Sequence, residues 1–357
     1  MVVLFWLTSM LEAYGWNSQF QQAFDALEHP DWLAGRVVAQ KDYHYQIITR
    51  QGEVTAPPAG VLFHKKTTLD LPAVGDWVAA CPRGDDYVIE ELLPRTSVFV
   101  RQSAGRTSSA QVIAANLDRV LVVMGLDGDF NVRRLERFLV TVIEGGGRPV
   151  VLLTKADCCP ELETRLAAAE ACSPGLPVLA VSAVTGQGLE ALAPYLERGQ
   201  TVALVGSSGV GKSTLLNRLA GRDIAPTQTV RENDSRGRHT TTHRELFLLP
   251  DGAMVVDTPG LRELQLWAGT VGLELAFADI CALAEQCRFG DCGHELEPAC
   301  AVRAAIEDGS LDPDRLESYR DLCDEVERSE RQKAVREQAR DRRRKNRRDQ
   351  RGRRFEN

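Results

Sequence analysis

The 357-residue chain is too long for one typical domain, and its 43% hydrophobic content is enough for a sizeable core. No apolar run reaches the roughly 20 residues of a membrane span, and the start lacks the basic region of a signal peptide. We therefore expect a cytoplasmic protein with no membrane partner and with its nine cysteines reduced. The net charge of −7 conceals a basic run at residues 331–354, which carry thirteen Lys or Arg and three Asp or Glu.

Short apolar stretches separated by Gly, Pro and Asp predict a small closed β-barrel at residues 33–101, after an N-terminal extension at 1–32. The predicted strands are GRVVAQ, YHYQIIT, GVLF, GDWVAAC and YVIEELL. Residues 102–112 are polar, and we predict a linker there. Strand-like and helix-like stretches alternate over 113–272, which predicts an α/β domain with a mostly parallel sheet, including a helix near 188–197. Residues 273–357 are predicted to form a third, mostly helical domain.

The stretch GSSGVGKST, at residues 206–214, has the spacing of a phosphate-binding loop and lies between a predicted strand and a predicted helix. Its glycines allow backbone N–H groups to turn toward phosphates, and the helix N-terminus adds partial positive charge. We expect Lys212 to contact the β- and γ-phosphates and Ser213 to bind Mg²⁺. The predicted phosphate-binding residues are Gly206, Ser207, Ser208, Gly209, Val210, Gly211, Lys212, Ser213 and Thr214.

Two further segments are typical of a nucleotide switch. MVVDTPG, at residues 254–260, predicts that Asp257 reaches the Mg²⁺ and that the Gly260 N–H reaches the γ-phosphate. The polar segment 231–246 suits a switch that a γ-phosphate orders. One threonine of residues 240–242 is expected to complete the Mg²⁺ shell, and we favour Thr241.

The residue that positions the attacking water is not the usual one. Many GTPases orient this water with a glutamine just after the glycine of their second switch segment. In this chain that glycine is Gly260, and the next residue is Leu261. We therefore expect slow intrinsic turnover. His239, just before the threonine cluster, is the favoured group for orienting the water, and His243 is its rival.

The base-reading motif lies upstream of the phosphate loop, in VLLTKAD at residues 151–157. The Asp157 carboxylate can accept both the N1–H and the N2–H of guanine, whereas adenine would leave it unpaired. The Lys155 stem can lie over the purine, and Thr154 replaces the more usual Asn and would tie this segment to the phosphate loop. Ser182 and Ala183 end the next strand, where the Ala183 N–H could meet the guanine O6. These motifs make the usual GTPase set in a rotated order.

The cysteine-rich segment has the spacing of a metal site. Cys287, Cys292, His294 and Cys300 lie within fourteen residues and match a closed tetrahedral Zn²⁺ site with a structural role. Cys281 and Cys323 are nearby alternatives as ligands. The basic run beyond them is either a solvated charged helix or a surface for nucleic-acid phosphates, and we favour phosphate contact.

The phosphate loop GSSGVGKST, the switch GRHTTT, the segment DTPG and the cysteine spacing together resemble the RsgA family of ribosome small-subunit-dependent GTPases. The resemblance covers nearly the whole chain. It implies an OB-fold barrel, a circularly permuted GTPase domain, and GTP hydrolysis to GDP that the 30S subunit stimulates during late 30S maturation. We further expect Mg²⁺ bound with GTP, contact with 16S rRNA, and a monomer.

Two other functions fit the same motifs. The chain could be a GTP-gated RNA-binding module with negligible turnover, or a GTPase that serves RNA modification or protein targeting. No modification site or membrane anchor is visible in the sequence, which weighs against the last function. Phosphate release measured with and without 30S particles distinguishes a GTP-gated RNA-binding module from a GTPase that the 30S subunit stimulates.

Overall fold

The computed structural model describes residues 10–41, 44–65, 68–102, 110–225, 244–257 and 270–355. The chain divides into two compact units, Met1–Gln265 and Leu266–Asn357, so the division falls a few residues before the predicted boundary at residue 273. Within the described residues, every helix is too short or too polar to cross a membrane.

Five antiparallel strands build the first part of unit one; four of them match predicted strands, and the fifth, Gly52–Ala56, was not predicted. Strand β1 pairs with β2 and β4, while β3 pairs with β2 and β5 pairs with β4. The strands are therefore paired in the order β3-β2-β1-β4-β5. A parallel bridge between Pro58 and Ile89 then links the segment after β3 to β5, the strand at the other end of this order. The strands are β1 (Leu33–Lys41), β2 (His44–Thr49), β3 (Gly52–Ala56), β4 (Trp77–Arg83) and β5 (Asp86–Leu92).

Two helices accompany these strands, and one of them corrects a strand prediction. Helix α1 (Ser18–Asp25) begins at Asn17, whose side chain accepts from the N–H groups of the first turn. GVLF, predicted as a strand, instead lies in helix α2 (Gly60–Lys65). A stretch of four residues is too short to distinguish the hydrophobic periodicity of a helix from that of a strand. In the helix Leu62 is buried and Val61 is exposed.

The predicted linker at 102–112 is wrong at both ends. Strands β6 (Val98–Gln102) and β7 (Ala110–Ala115) pair antiparallel, so the segment begins and ends in a hairpin. The apolar residues of the two strands account for this pairing, because Phe99 and Ile113 are both buried. Residues 103–109, also assigned to the linker, lie outside the described residues.

Six strands form the nucleotide-domain part of the sheet, in the order β10-β9-β8-β11-β13-β12. All neighbouring pairs are parallel except β12–β13, which confirms the expected mostly parallel α/β sheet. The strands are β8 (Arg119–Gly125), β9 (Pro149–Thr154), β10 (Val178–Ala180), β11 (Thr201–Val205), β12 (Arg244–Leu248) and β13 (Met254–Asp257).

Helices α3 (Val132–Glu144), α4 (Leu162–Ala171) and α5 (Lys212–Ala220) connect these strands. The helix expected near 188–197 is a 3₁₀ segment, Leu189–Tyr195, because in an α-helix the Pro194 ring would clash with the carbonyl of Glu190. The five parallel strands β8, β9, β10, β11 and β13 end at one edge of the sheet. In an open parallel sheet this edge is where ligands bind.

The barrel and the nucleotide domain share one continuous sheet. Strand β1 pairs antiparallel with β12 through Ala39 with Glu245 and Gln40 with Arg244. Arg36 on β1 is buried and donates from Nη2 to Thr201 Oγ1 at 2.8 Å. The two parts are therefore joined by backbone and side-chain hydrogen bonds.

Unit two is helical, as predicted. Buried Arg315 organises it, since its Nε and Nη2 donate to Asp279 at 2.6 and 2.7 Å, and its guanidinium lies 4.6 Å from the Phe277 ring centroid. The basic run 331–354 falls within the last helix. The helices are α6 (Val271–Ala276), α7 (Ala278–Ala284), α8 (Ala301–Glu307) and α9 (Pro313–Phe355).

Candidate functional site

The phosphate loop connects β11 to α5 at the ligand-binding edge of the sheet. Gly206 has φ 152°, and a Cβ there would lie 2.1 Å from the Val123 carbonyl oxygen, so only glycine fits. Lys212 Nζ donates to the Gly206 carbonyl at 2.7 Å and the Ser207 carbonyl at 2.5 Å. The lysine therefore folds over the loop from the first turn of α5, where a phosphate could take the place of these carbonyls.

The base-reading segment is bonded directly to this loop. Thr154, the buried last residue of β9, donates from Oγ1 to the Val210 carbonyl. Lys155 has φ 63°, and this left-handed turn directs its Nζ to the Gly209 carbonyl at 2.8 Å and to Asp127 Oδ2 at 2.6 Å. The stem of Lys155 is thus fixed at both ends beside the phosphate loop.

Asp157 lies exposed in the 3₁₀ turn Ala156–Cys158 that follows. A hydrogen bond from Ser182, and a second from the Cys158 thiol, lower the pKa of the Asp157 carboxyl. Ser182 is fully buried, and its Oγ accepts from the Thr185 N–H at 3.1 Å. Ser182 therefore orients the Asp157 carboxylate, and Ala183 follows it on the partly exposed side of the same turn.

The sequence reading missed the loop between β8 and α3. Asp127 holds Lys155, and Arg134, in the first turn of α3, donates from Nη1 to Ser207 Oγ at 3.1 Å and pairs with Asp129. Arg165 fixes the loop by donating to the Leu126 and Asp127 carbonyls at 2.9 and 3.0 Å. The available signal was the acidic segment LDGDFN after an apolar strand, which had to lie at the same sheet edge as the other motifs.

Burial raises the pKa of the Asp127 carboxyl, but the hydrogen bond from Lys155 outweighs it, together with a backbone hydrogen bond from Asp129, and the net pKa is lowered. The carboxylate is therefore ionised at neutral pH, and it attracts the Lys155 ammonium. The Asp127 side chain is 40% exposed, so solvent weakens this pair.

We expect Asp127→Asn to weaken GTP and GDP binding by a similar factor, about threefold, because Lys155 is then less well fixed over the base. The preference for GTP over ATP should stay, since Asp157 is untouched. Titration with a fluorescent guanine nucleotide measures both effects, and Asp86→Asn in the barrel is the matched control. Unchanged affinity in Asp127→Asn would show that Lys155 does not depend on this carboxylate.

The predicted Mg²⁺ ligands are only partly within the described residues. Ser213 lies in the first turn of α5, and Asp257 ends β13, whose register pairs it with Leu204 of β11. Both residues therefore lie at the sheet edge that carries the phosphate loop. His239, Thr241, His243, Gly260 and Leu261 lie outside the described residues.

The four predicted zinc ligands come together in unit two. The ligand atoms of Cys287, Cys292, His294 and Cys300 all lie within 4.8 Å of one another. His294 Nδ1 is 3.6 Å from Cys287 Sγ and 3.4 Å from Cys300 Sγ, and these two sulfurs are 3.8 Å apart. Zn–S bonds of about 2.3 Å and Zn–N bonds of about 2.0 Å in a tetrahedron give edges of about 3.8 and 3.5 Å. These three distances therefore match a zinc tetrahedron, and Cys292 adds the fourth donor within 4.8 Å of the others.

The backbone around this cluster explains how so short a segment converges. His294 and Ala299 both have positive φ, near 57°, which turns the chain sharply on either side of residues 295–298. Arg320 on α9 donates from Nη2 to the His294 carbonyl at 2.7 Å and fixes the turn that carries this ligand. Cys300 caps α8, since its Sγ accepts from the Arg303 N–H at 3.4 Å.

Comparison with known proteins places this site in a family. The family model described as RsgA GTPase matches residues 92–267. The small ribosomal subunit biogenesis GTPase RsgA 2 of Lactiplantibacillus plantarum is 47% identical over 90% of this chain and 90% of its own length. The small ribosomal subunit biogenesis GTPase RsgA of Syntrophotalea carbinolica is 45% identical over 87% of each chain.

Solved structures agree in fold. YjeQ from Thermotoga maritima superposes with a TM-score of 0.62 at 28% identity, over 83% of this chain and 98% of that one. YloQ, described as a circularly permuted GTPase, gives a TM-score of 0.60 at 24% identity, over 84% of this chain and 96% of that one. The rotated order of motifs along this chain is consistent with that description.

Proposed function

Because this chain belongs to the RsgA GTPase family, we propose that it binds GTP with Mg²⁺ at the described sheet edge and hydrolyses it in the service of small-subunit assembly. The observation that carries the site assignment is the direct bonding of two distant segments. Thr154 and Lys155 of the base-reading segment both donate to carbonyls of the phosphate loop, so base and phosphates would be held by one rigid unit.

Each part of the nucleotide has a place in this proposal. The phosphate loop and Lys212 take the phosphates, Lys155 covers the purine, and Asp157 accepts the guanine N1–H and N2–H. Ala183 offers its N–H to the guanine O6. Ser213, Asp257 and Thr241 would hold the Mg²⁺, which neutralises charge on the β- and γ-phosphates.

The rest of the chain serves the ribosomal partner. The five-stranded barrel is assigned as an OB-fold, and the Cys₃His cluster as a structural Zn²⁺ site with no open coordination position. The basic stretch of α9 would contact 16S rRNA of the 30S subunit through phosphates, from a monomer acting in the cytoplasm.

Co-sedimentation with ribosomal subunits tests the partner. We expect the chain to sediment with 30S and not with 50S particles, to an extent that differs between GDP and a non-hydrolysable GTP analogue. Equal sedimentation with both subunits, in every nucleotide state, would contradict a small-subunit function.

Removal of residues 331–357 should weaken 30S binding and flatten its dependence on salt, because each lost phosphate contact removes a released counterion. Nucleotide affinity should not change. The measurement is the slope of 30S affinity against salt concentration for the full and the shortened chain. An unchanged slope would place the electrostatic contacts elsewhere.

His239→Ala should keep GTP and 30S binding but lose most of the hydrolysis that 30S particles stimulate, on the order of 10²-fold, as expected for loss of a positioned acid or base. The matched control is His243→Ala, the rival in the same segment. Full stimulated turnover in His239→Ala would remove this side chain from the mechanism.

A further inference from the structure

The loop between β8 and α3 brings a guanidinium to the phosphate loop. Arg134 donates from Nη1 to Ser207 Oγ at 3.1 Å, and the same nitrogen pairs with Asp129 Oδ1. The Arg134 side chain is 38% exposed, so it is open to a ligand. Both contacts use Nη1, which leaves the donors on Nη2 and Nε available to a further acceptor within the described part of the chain.

Ser207 is the residue that relates this guanidinium to the phosphates. Its hydroxyl accepts from Arg134, while its carbonyl accepts from Lys212 Nζ at 2.5 Å. In a phosphate loop the lysine moves from such carbonyls to the β- and γ-phosphates. The Arg134 guanidinium and the Lys212 ammonium are therefore both hydrogen-bonded to Ser207. Lys212 is the group expected to contact the γ-phosphate.

We propose that Arg134 is a catalytic residue that donates to the γ-phosphate oxygens during hydrolysis, as an arginine supplied by the chain itself. In this reaction a water oxygen bonds to the γ-phosphorus, and the bond from that phosphorus to the bridging oxygen breaks. The bonding electrons stay on the β-phosphate of GDP, and the water proton leaves with inorganic phosphate. Charge on the transferred group and the bridging oxygen is what an arginine stabilises.

Asp129 gives the arginine a defined place before nucleotide binds. Its Oδ1 pairs with Arg134, and its Oδ2 is buried without a hydrogen-bond partner among the described residues. The buried Asp129 Oδ2 has lost its hydrogen bonds to water without gaining another, and this raises the free energy of the paired state. The pair therefore holds Arg134 beside Ser207 and can release it to a more highly charged phosphate. The proposal rests on the phosphate-loop assignment made above.

The test compares binding of GDP alone with binding of GDP plus aluminium fluoride, which mimics the transferred phosphoryl group. We expect Arg134→Ala to bind GDP as the parent does, within about twofold, but to lose on the order of 10²-fold in affinity for the aluminium fluoride complex and in single-turnover hydrolysis. Arg134→Lys should restore only part of this loss, because a lysine keeps the charge without the planar fork.

Arg119→Ala, at the opposite end of β8, is the matched control and should behave as the parent. If Arg134→Ala weakens GDP and the aluminium fluoride complex equally, the residue only supports the loop and the proposal is overturned. Unchanged binding and hydrolysis in Arg134→Ala would overturn it as well. A parent protein that binds neither GDP nor GTP would instead contradict the nucleotide site itself.

Discussion

Asp157→Asn should change the preferred nucleotide of this protein from GTP to xanthosine triphosphate. In the proposed site the Asp157 carboxylate accepts two hydrogen bonds from guanine, and an amide cannot accept both, so GTP should lose about 3 kcal/mol, or on the order of 10²-fold in Kd. Xanthosine triphosphate carries a carbonyl at C2, to which the amide can donate, and its affinity should rise. Competition of GTP, xanthosine triphosphate and ATP against a fluorescent guanine nucleotide measures all three affinities.

The control for this change is Glu163→Gln, which removes an exposed carboxylate from the neighbouring helix α4. It should leave the three affinities as they are. The lowered pKa of Asp157 adds a pH dependence: the carboxylate stays ionised below its ordinary titration range, so GTP affinity should hold through mildly acidic solution. Equal affinity of the parent protein for GTP and ATP would disprove the assignment of Asp157.

Cys300→Ser should abolish zinc binding and unfold much of unit two. Cys300 is buried, its sulfur faces His294 and Cys287, and it caps α8, so its loss removes a ligand and a helix cap together. Structural zinc contributes about 10–16 kcal/mol of binding free energy to small domains, and much of this is lost with one ligand. Elemental analysis should give about one Zn²⁺ per parent chain. Circular dichroism should show lost helix in the variant.

Cys323→Ser is the matched control, because this cysteine was an alternative ligand and lies outside the four-residue cluster. It should retain the metal. Guanine-nucleotide affinity should be nearly unchanged in both variants, since the phosphate loop and the base reader belong to unit one. Zinc retained in Cys300→Ser but lost in Cys323→Ser would show that the ligand set is wrong.

The strand ends that carry the proposed nucleotide-binding residues were predictable from sequence, because each depends on a short local pattern. Lys212 in its glycine-rich loop and Asp157 after an apolar strand needed only the strand and turn around them. The predicted metal-binding cluster rested on spacing, since Cys287 and Cys300 could not share one face of a helix or strand at that separation. The structure brings the four predicted side chains together.

Contacts between segments far apart in the chain could not be predicted from local sequence patterns. Nothing local in the sequence pairs Arg134 with Ser207 or Asp127 with Lys155, because these contacts depend on the order of strands in the sheet. The short stretch GVLF became helix α2 for the related reason that a few apolar residues fit either structure and the neighbouring strands decide. The pairing of β1 with β12, which fuses barrel and nucleotide domain, is likewise a property of topology.

This chain is a GTPase of the RsgA family, and we propose that its turnover responds to the small ribosomal subunit. The most direct test of this response is phosphate release from GTP by the purified protein with 30S subunits, with 50S subunits, and with neither. We expect slow release alone and with 50S subunits, and release at least tenfold faster with 30S subunits, in line with the gain from ordering a catalytic segment. Equal rates in all three reactions would contradict stimulation by the small subunit.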